Sequence, residues 1–156
     1  MKTSSLLLAI NMILLIFIWI FVGATYAGLP EIVPSHFAVN GNVDGASEKK
    51  AIWILPVIAT FLFLLLVGIS RNPDSPMLNV PQHYRNKENL RFFANSTLLP
   101  ILLLLADTVV ESILIAKGKL QEMSNAVFIL LALVLVVSGI HILRMIREGR
   151  SETSNI

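Results

Sequence analysis

Asp107 and Glu111 are the two residues best placed to do chemistry, because they are carboxylates set inside a long apolar stretch. Their i, i+4 spacing puts both side chains on one helix face with Thr108 beside them, and ionisable groups inside a membrane span usually face a bundle interior or a water-filled cavity. Three roles fit the pair. The carboxyls can be structural, bonded to polar groups on neighbouring helices or to nearby lysines. They can form a proton or cation site completed by Glu31, His36 and Asp44, since oxygen ligands suit hard cations and a single histidine admits zinc. Or Glu111 can be merely interfacial. His36, Asp44 and Glu111 are therefore the candidate metal ligands. His141 is tempting as a further member, but it precedes Arg144 by one helical turn, whereas Asp107 lies about 22 Å along its helix from Phe92 at the same end. It reads instead as an interfacial residue. Asn11 reads as a helix–helix hydrogen-bonding group.

No reaction signature is present. The chain has 0 cysteines and carries no H-E-x-x-H, phosphate-binding glycine loop, G-x-S-x-G or C-x-x-C. His36 with Asp44 is half of a hydrolase site, without a nucleophile at fixed spacing. The expectation is a non-enzyme with no catalytic residue and no cofactor.

The elements that position these residues follow from composition. Of 156 residues, 55% are hydrophobic and only 14% charged, against about 25% charged in soluble domains. A net charge of +2 gives no footprint for nucleic acid. The apolar residues fall into four blocks, and about 20 apolar residues span a hydrocarbon core. The fold class expected is an all-α integral membrane protein, a four-transmembrane-helix bundle forming one membrane domain over residues 1–156. Its spans run at about 6–27, 51–70, 92–116 and 124–143. No segment outside them is long enough to bury a core of its own.

Basic residues accumulate on the cytoplasmic side. Lys2, Arg71, Arg85, Lys87, Arg91, Arg144, Arg147 and Arg150 lie on one side, whereas Lys49, Lys50, Lys117 and Lys119 lie on the other. The chain therefore reads as N-in and C-in, with loop 28–50 outside, a basic loop 71–91 inside, and a cytoplasmic tail 144–156. Tyr26 and Trp53 serve as aromatic anchors at the outer interface. A signal peptide competes for the N-terminus, because Lys2 precedes an apolar run. That run is longer than the roughly 7 to 15 residues of a secretory core, which favours an uncleaved helix.

Loop 28–50 is the least generic segment. Pro30 and Pro34 exclude helix and send the chain out as an extended segment. Asn40-Gly41, flanked by Phe37-Ala38-Val39 and Asn42-Val43, suits the tight turn of a small β-hairpin. Asp44-Gly45 supplies another turn, and Ser47 can cap the second helix.

The residues Leu29-Pro30, Pro34, His36-Phe37, Gly41, Asp44 and Lys49 or Lys50, followed by an apolar helix containing Pro56, resemble the signature of domain of unknown function 1648. That bacterial membrane module also forms the N-terminal part of SdpI-type toxin-immunity proteins. A weaker echo runs from Asn79-Val80-Pro81 through Tyr84 to Asn89-Leu90-Arg91. The longer C-terminal module of full-length SdpI-type proteins has no counterpart here. The resemblance implies a helical bundle in the bacterial inner membrane with the signature loop outside. It also implies an immunity-like or regulatory interaction role, with a peptide toxin or protein partner at the outer loop and a cytoplasmic regulator as a second partner. No catalytic residue transfers with it. The alternative is a small proton- or cation-coupled transport protein using Asp107 and Glu111. Loop 71–91 reads as a solvated basic segment attracted to anionic lipid or as a docking site for a cytoplasmic partner, with Asn86 able to cap a helix continuing into the third span.

Overall fold

The four apolar blocks form four long helices because a bilayer demands that every backbone polar group be satisfied within the segment. The computed structural model describes residues 2–76 and 78–153. Helix α1 spans Lys2–Tyr26, α2 Ile54–Ile69, α3 Lys87–Ala116 and α4 Ala126–Thr153, and a hairpin of β1 Ile32–Phe37 and β2 Val43–Glu48 lies between α1 and α2. A 3₁₀ turn, Lys49–Trp53, leads into α2. All four helical segments are long and apolar enough to cross a membrane, so the chain is a multi-pass membrane protein.

Helix α3 is the axis of the bundle. It packs on α1, α2 and α4, and it also receives β1. Leu98, Leu102, Val109 and Ile113 of α3 are buried against Ile18 and Val22 of α1 and Ala59 of α2. Pro100 removes one backbone donor inside α3, and the helix continues through it. Asn11 donates from Nδ2 to the Asn95 carbonyl at 2.9 Å, the helix–helix bond expected of it. At the hairpin end Trp53 packs against Trp19 and Tyr26, with ring centroids 5.7 and 5.5 Å away, and Trp19 Nε1 donates to Thr60 Oγ1. Helix α4 leaves Ile129, Leu135, Ile142 and Leu143 exposed, the surface expected of a helix that faces lipid.

Helix ends follow local chemistry. Asn86 caps α3 as its sequence suggests, its side chain accepting from the Asn89 N–H at 2.8 Å. The helix therefore starts at Lys87, ahead of the apolar block. Helix α4 continues to Thr153, well past the expected end at 143, and Arg144 and Glu148 stand one turn apart on its polar extension. Residues 154–156 of the expected tail, and the side chains of residues 150–153, lie outside the described residues. Loop 71–91 is built rather than merely solvated. Tyr84, Leu78 and Leu90 form a buried cluster against Phe93 and Met145, and the Arg85 guanidinium donates to the carbonyls of Leu78 and Val80.

Three local expectations for loop 28–50 are corrected. The hairpin loop is wider than a two-residue Asn-Gly turn: Ala38 accepts from Gly41 N–H and donates to Asn42 C=O, and Gly41 alone takes positive φ, at 85°. The extra residue lets Asn40 avoid the left-handed region. Asp44 and Gly45 do not turn the chain but lie in β2, with Gly45 opposite His36. Ser47 does not cap α2; its hydroxyl donates across the hairpin to Ser35 at 2.9 Å.

Candidate functional site at the hairpin end

Most signature residues prove to be fasteners of the hairpin. Leu29 is buried in the main core directly after α1. Lys49 closes the open end of the hairpin twice, its amide donating to the Glu31 carbonyl at 2.8 Å and its ammonium to the Glu31 carboxylate at 2.7 Å, with the Tyr26 ring 5.7 Å beneath. Pro30 is exposed in the turn that leaves α1, and Pro34 sits in β1 opposite Ala46. In a two-stranded ribbon a proline can face outward without losing a ladder bond. Phe37 stands opposite Val43 at the far end of the ladder.

His36 and Asp44 are brought together. The His36 ring Nδ1 lies 2.5 Å from Asp44 Oδ1, with both side chains solvent-exposed. Gly45 makes this possible, because a Cβ there would stand 2.8 Å from His36 Cβ. That role is absent from a reading of Asp44-Gly45 as a turn. Cross-strand register is the information that reveals it.

The other fastener joins the hairpin to the helices. Gly41 is buried against the loop between α3 and α4, where its carbonyl accepts from the Met123 N–H at 2.9 Å and any Cβ would overlap the Met123 carbonyl. The next amide along, Ser124 N–H, donates to Glu111 Oε2 at 2.8 Å. The Ser124 hydroxyl in turn accepts from Ala126 N–H where α4 begins. Glu111, 8% exposed, thus holds the chain just ahead of α4, at a helix start, the end that favours a carboxylate.

Asp107 is differently placed. Its Oδ2 is buried and has no hydrogen-bond partner among the described residues. Thr108 returns its hydroxyl to the Leu104 carbonyl. Among the described residues no three histidine or acidic side chains gather closely enough to hold a metal ion, so Glu111 does not join the His36 and Asp44 pair as a third ligand.

His141 lies at the opposite end, as its depth implied. Its Nε2 is 2.7 Å from Ser96 Oγ and its Nδ1 3.4 Å from the Tyr84 hydroxyl, and its ring stands edge-on to Phe93 and Phe92. Ser96 is about 16 Å from Asp107 along α3. Burial raises the Tyr84 phenol above its ordinary value. Sequence reasoning missed this cluster because its members come from three separate segments.

Between the hairpin and the helices lies a cleft of about 370 Å³, walled by Phe37, Ala38 and Val39 on one side and by Met123, Val127 and Phe128 on the other. His36 and Thr108 line it as well. Residues 13–60 match the family described as "Domain of unknown function (DUF1648)". The matched segment runs from within α1 through the whole hairpin into α2, so both ends of the His36–Asp44 pair and Gly41 belong to the DUF1648 segment, whereas Met123, Val127 and Phe128 come from outside it. A protein from Archaeoglobus fulgidus described as "Uncharacterized protein" is 28% identical over 113 residues, covering 65% of this chain and 62% of that relative. The chain thus spans less than two thirds of the length of the curated relative it matches. No solved structure matches the chain.

Proposed function

We propose that the chain is a non-enzymatic interaction protein, immunity-like or regulatory, whose hairpin end captures an apolar segment of a peptide or protein partner outside a cytoplasmic membrane. The observation that carries this reading is the cleft. Its volume of about 370 Å³ falls in the range of pockets that take ligand groups, and apolar side chains wall it while His36, hydrogen-bonded to Asp44, also lines it. Val39, 85% exposed, projects at the tip of the hairpin as a large apolar side chain open to a partner. The hairpin is also fastened at both ends, so little ordering entropy is lost when a partner docks. The excess of Lys and Arg near the other end supports an orientation with both termini in the cytoplasm.

Photo-crosslinking tests this reading. Benzoylphenylalanine placed at Val39 and, separately, at Phe128 in native membranes should give the same peptide or protein adduct from both walls. Adducts to lipid alone at both positions would overturn it.

One observation favours a second reading. Asp107 Oδ2, without a partner among the described residues, is the kind of buried carboxylate oxygen that carries protons or cations in transport proteins. Proton flux in proteoliposomes, abolished by Asp107→Asn and unaffected by His36→Ala, would establish that reading and displace the first.

A further inference from the structure

The opposite end of the bundle holds a second cavity, of about 220 Å³, between the start of α1, the end of α2 and the first turns of α3. Its polar lining comprises Ser4 and Ser5 of α1, Ser70 and Arg71 after α2, and Arg91 and Asn95 one turn apart on α3. We propose that it binds a phosphate-bearing headgroup, a phosphodiester anion whose attached alcohol or amine donates to Asn95.

Three observations support the anion. Among the described residues, neither the Arg71 nor the Arg91 guanidinium has an ion pair or a side-chain hydrogen bond, although both border one small cavity. Planar guanidinium forks match phosphate oxygens, and Arg is the usual residue for them. The helix dipoles agree in sign. Helices α1 and α3 both begin at this end, and the first amides of a helix favour negative charge. The opposing end of α2 is neutralised, because its last carbonyls are already taken: Leu66 by Ser70 N–H, Val67 by the Ser70 hydroxyl, Gly68 by Arg71 N–H and Ile69 by Asn72 N–H.

Asn95 then selects the headgroup. It is 3% exposed, and its Nδ2 donates to the Arg91 carbonyl at 2.8 Å and to Ser4 Oγ at 3.3 Å. The Arg91 carbonyl fixes the amide's orientation, since only the nitrogen can donate to it. That leaves Asn95 Oδ1 buried and without a partner among the described residues, an acceptor waiting for a donor. Inorganic phosphate supplies the anion alone. A lipid such as phosphatidylglycerol supplies the anion and hydroxyl donors, and a basic pocket between helix ends lies at headgroup depth.

The purified full chain in detergent, titrated by native mass spectrometry with phosphatidylglycerol, phosphatidylcholine and, separately, inorganic phosphate, tests the site. The expected result is a 1:1 phosphatidylglycerol adduct whose affinity falls about tenfold or more in R71Q/R91Q and less than about twofold in R144Q/R147Q, which removes equal charge from the same end outside the cavity. Binding of inorganic phosphate with the same dependence on Arg71 and Arg91 would also support the site and name free phosphate as the source. Equal lipid binding by wild type and both double variants would overturn the proposal, as would the absence of any adduct. Both arginines are exposed, so the variants should keep the wild-type elution profile. The single variants R71Q and R91Q, each expected to lose about threefold, provide a second reading.

Discussion

Gly41 at the hairpin tip and Glu111 within the bundle hold consecutive backbone amides of the same loop, those of Met123 and Ser124. The signature hairpin and the intramembrane carboxylate, which read in the sequence as rival centres of function, are therefore two clamps on one structure. Together they set the distance between β1 and the first turn of α4, and that distance is the width of the cleft.

Gly41 tolerates no side chain. Gly41→Ala meets both a φ of 85° and the Met123 backbone, whereas Gly118→Ala meets a φ of 67° but open space. The backbone term alone is about 1 kcal/mol. Gly118→Ala should lose about that much in reversible unfolding in mixed micelles, and Gly41→Ala should lose clearly more. Equal losses would show that the hairpin is not seated on the loop.

The two carboxylates should respond oppositely to substitution. Glu111→Ala leaves the Ser124 N–H without its acceptor, at about 1–3 kcal/mol, and Glu111→Gln restores most of that through its amide oxygen. Asp107→Asn removes no bond from Oδ2 and should be neutral or stabilising. Melting temperatures of the three variants check the order.

The His36–Asp44 pair is exposed, and such pairs contribute little to stability. His36→Ala and Asp44→Asn should leave the melting temperature unchanged while abolishing the partner adduct at Val39. Loss of folding in either variant would reassign the pair to structure.

Alkaline stability tests the buried cluster around Tyr84. Its phenol is raised in the folded chain, so the stability it contributes is complete below the unfolded value of about 10 and is lost as pH rises through the folded value. Tyr84→Phe should therefore shrink the stability difference between pH 9 and pH 11 measured by chemical unfolding. An unchanged difference would show that the phenol titrates as it does in solvent.

The spans were legible because the bilayer imposes one requirement on every residue of a segment, and apolar runs report it directly. Asn86 as a cap and Asn40-Gly41 as a hairpin signal were legible for a similar reason, since each acts on backbone within a few residues. What remained hidden depends on distant neighbours. Asp44-Gly45 looks like a turn until register places Gly45 against His36. Glu111 looks like a ligand until the α3–α4 loop folds over it, and His141 acquires meaning only when Ser96 and Tyr84 arrive from other elements. Arg71 and Arg91 read as loop charges and become a pair only through helix packing.

Crosslinking yield from benzoylphenylalanine at Val39, compared in four backgrounds, tests the central claim most directly. A clamped cleft predicts one peptide or protein adduct in the wild type and in Asp107→Asn, and its loss in Gly41→Val and in Glu111→Ala at preserved expression. An adduct that survives both clamp variants, or that disappears with Asp107→Asn, would contradict it.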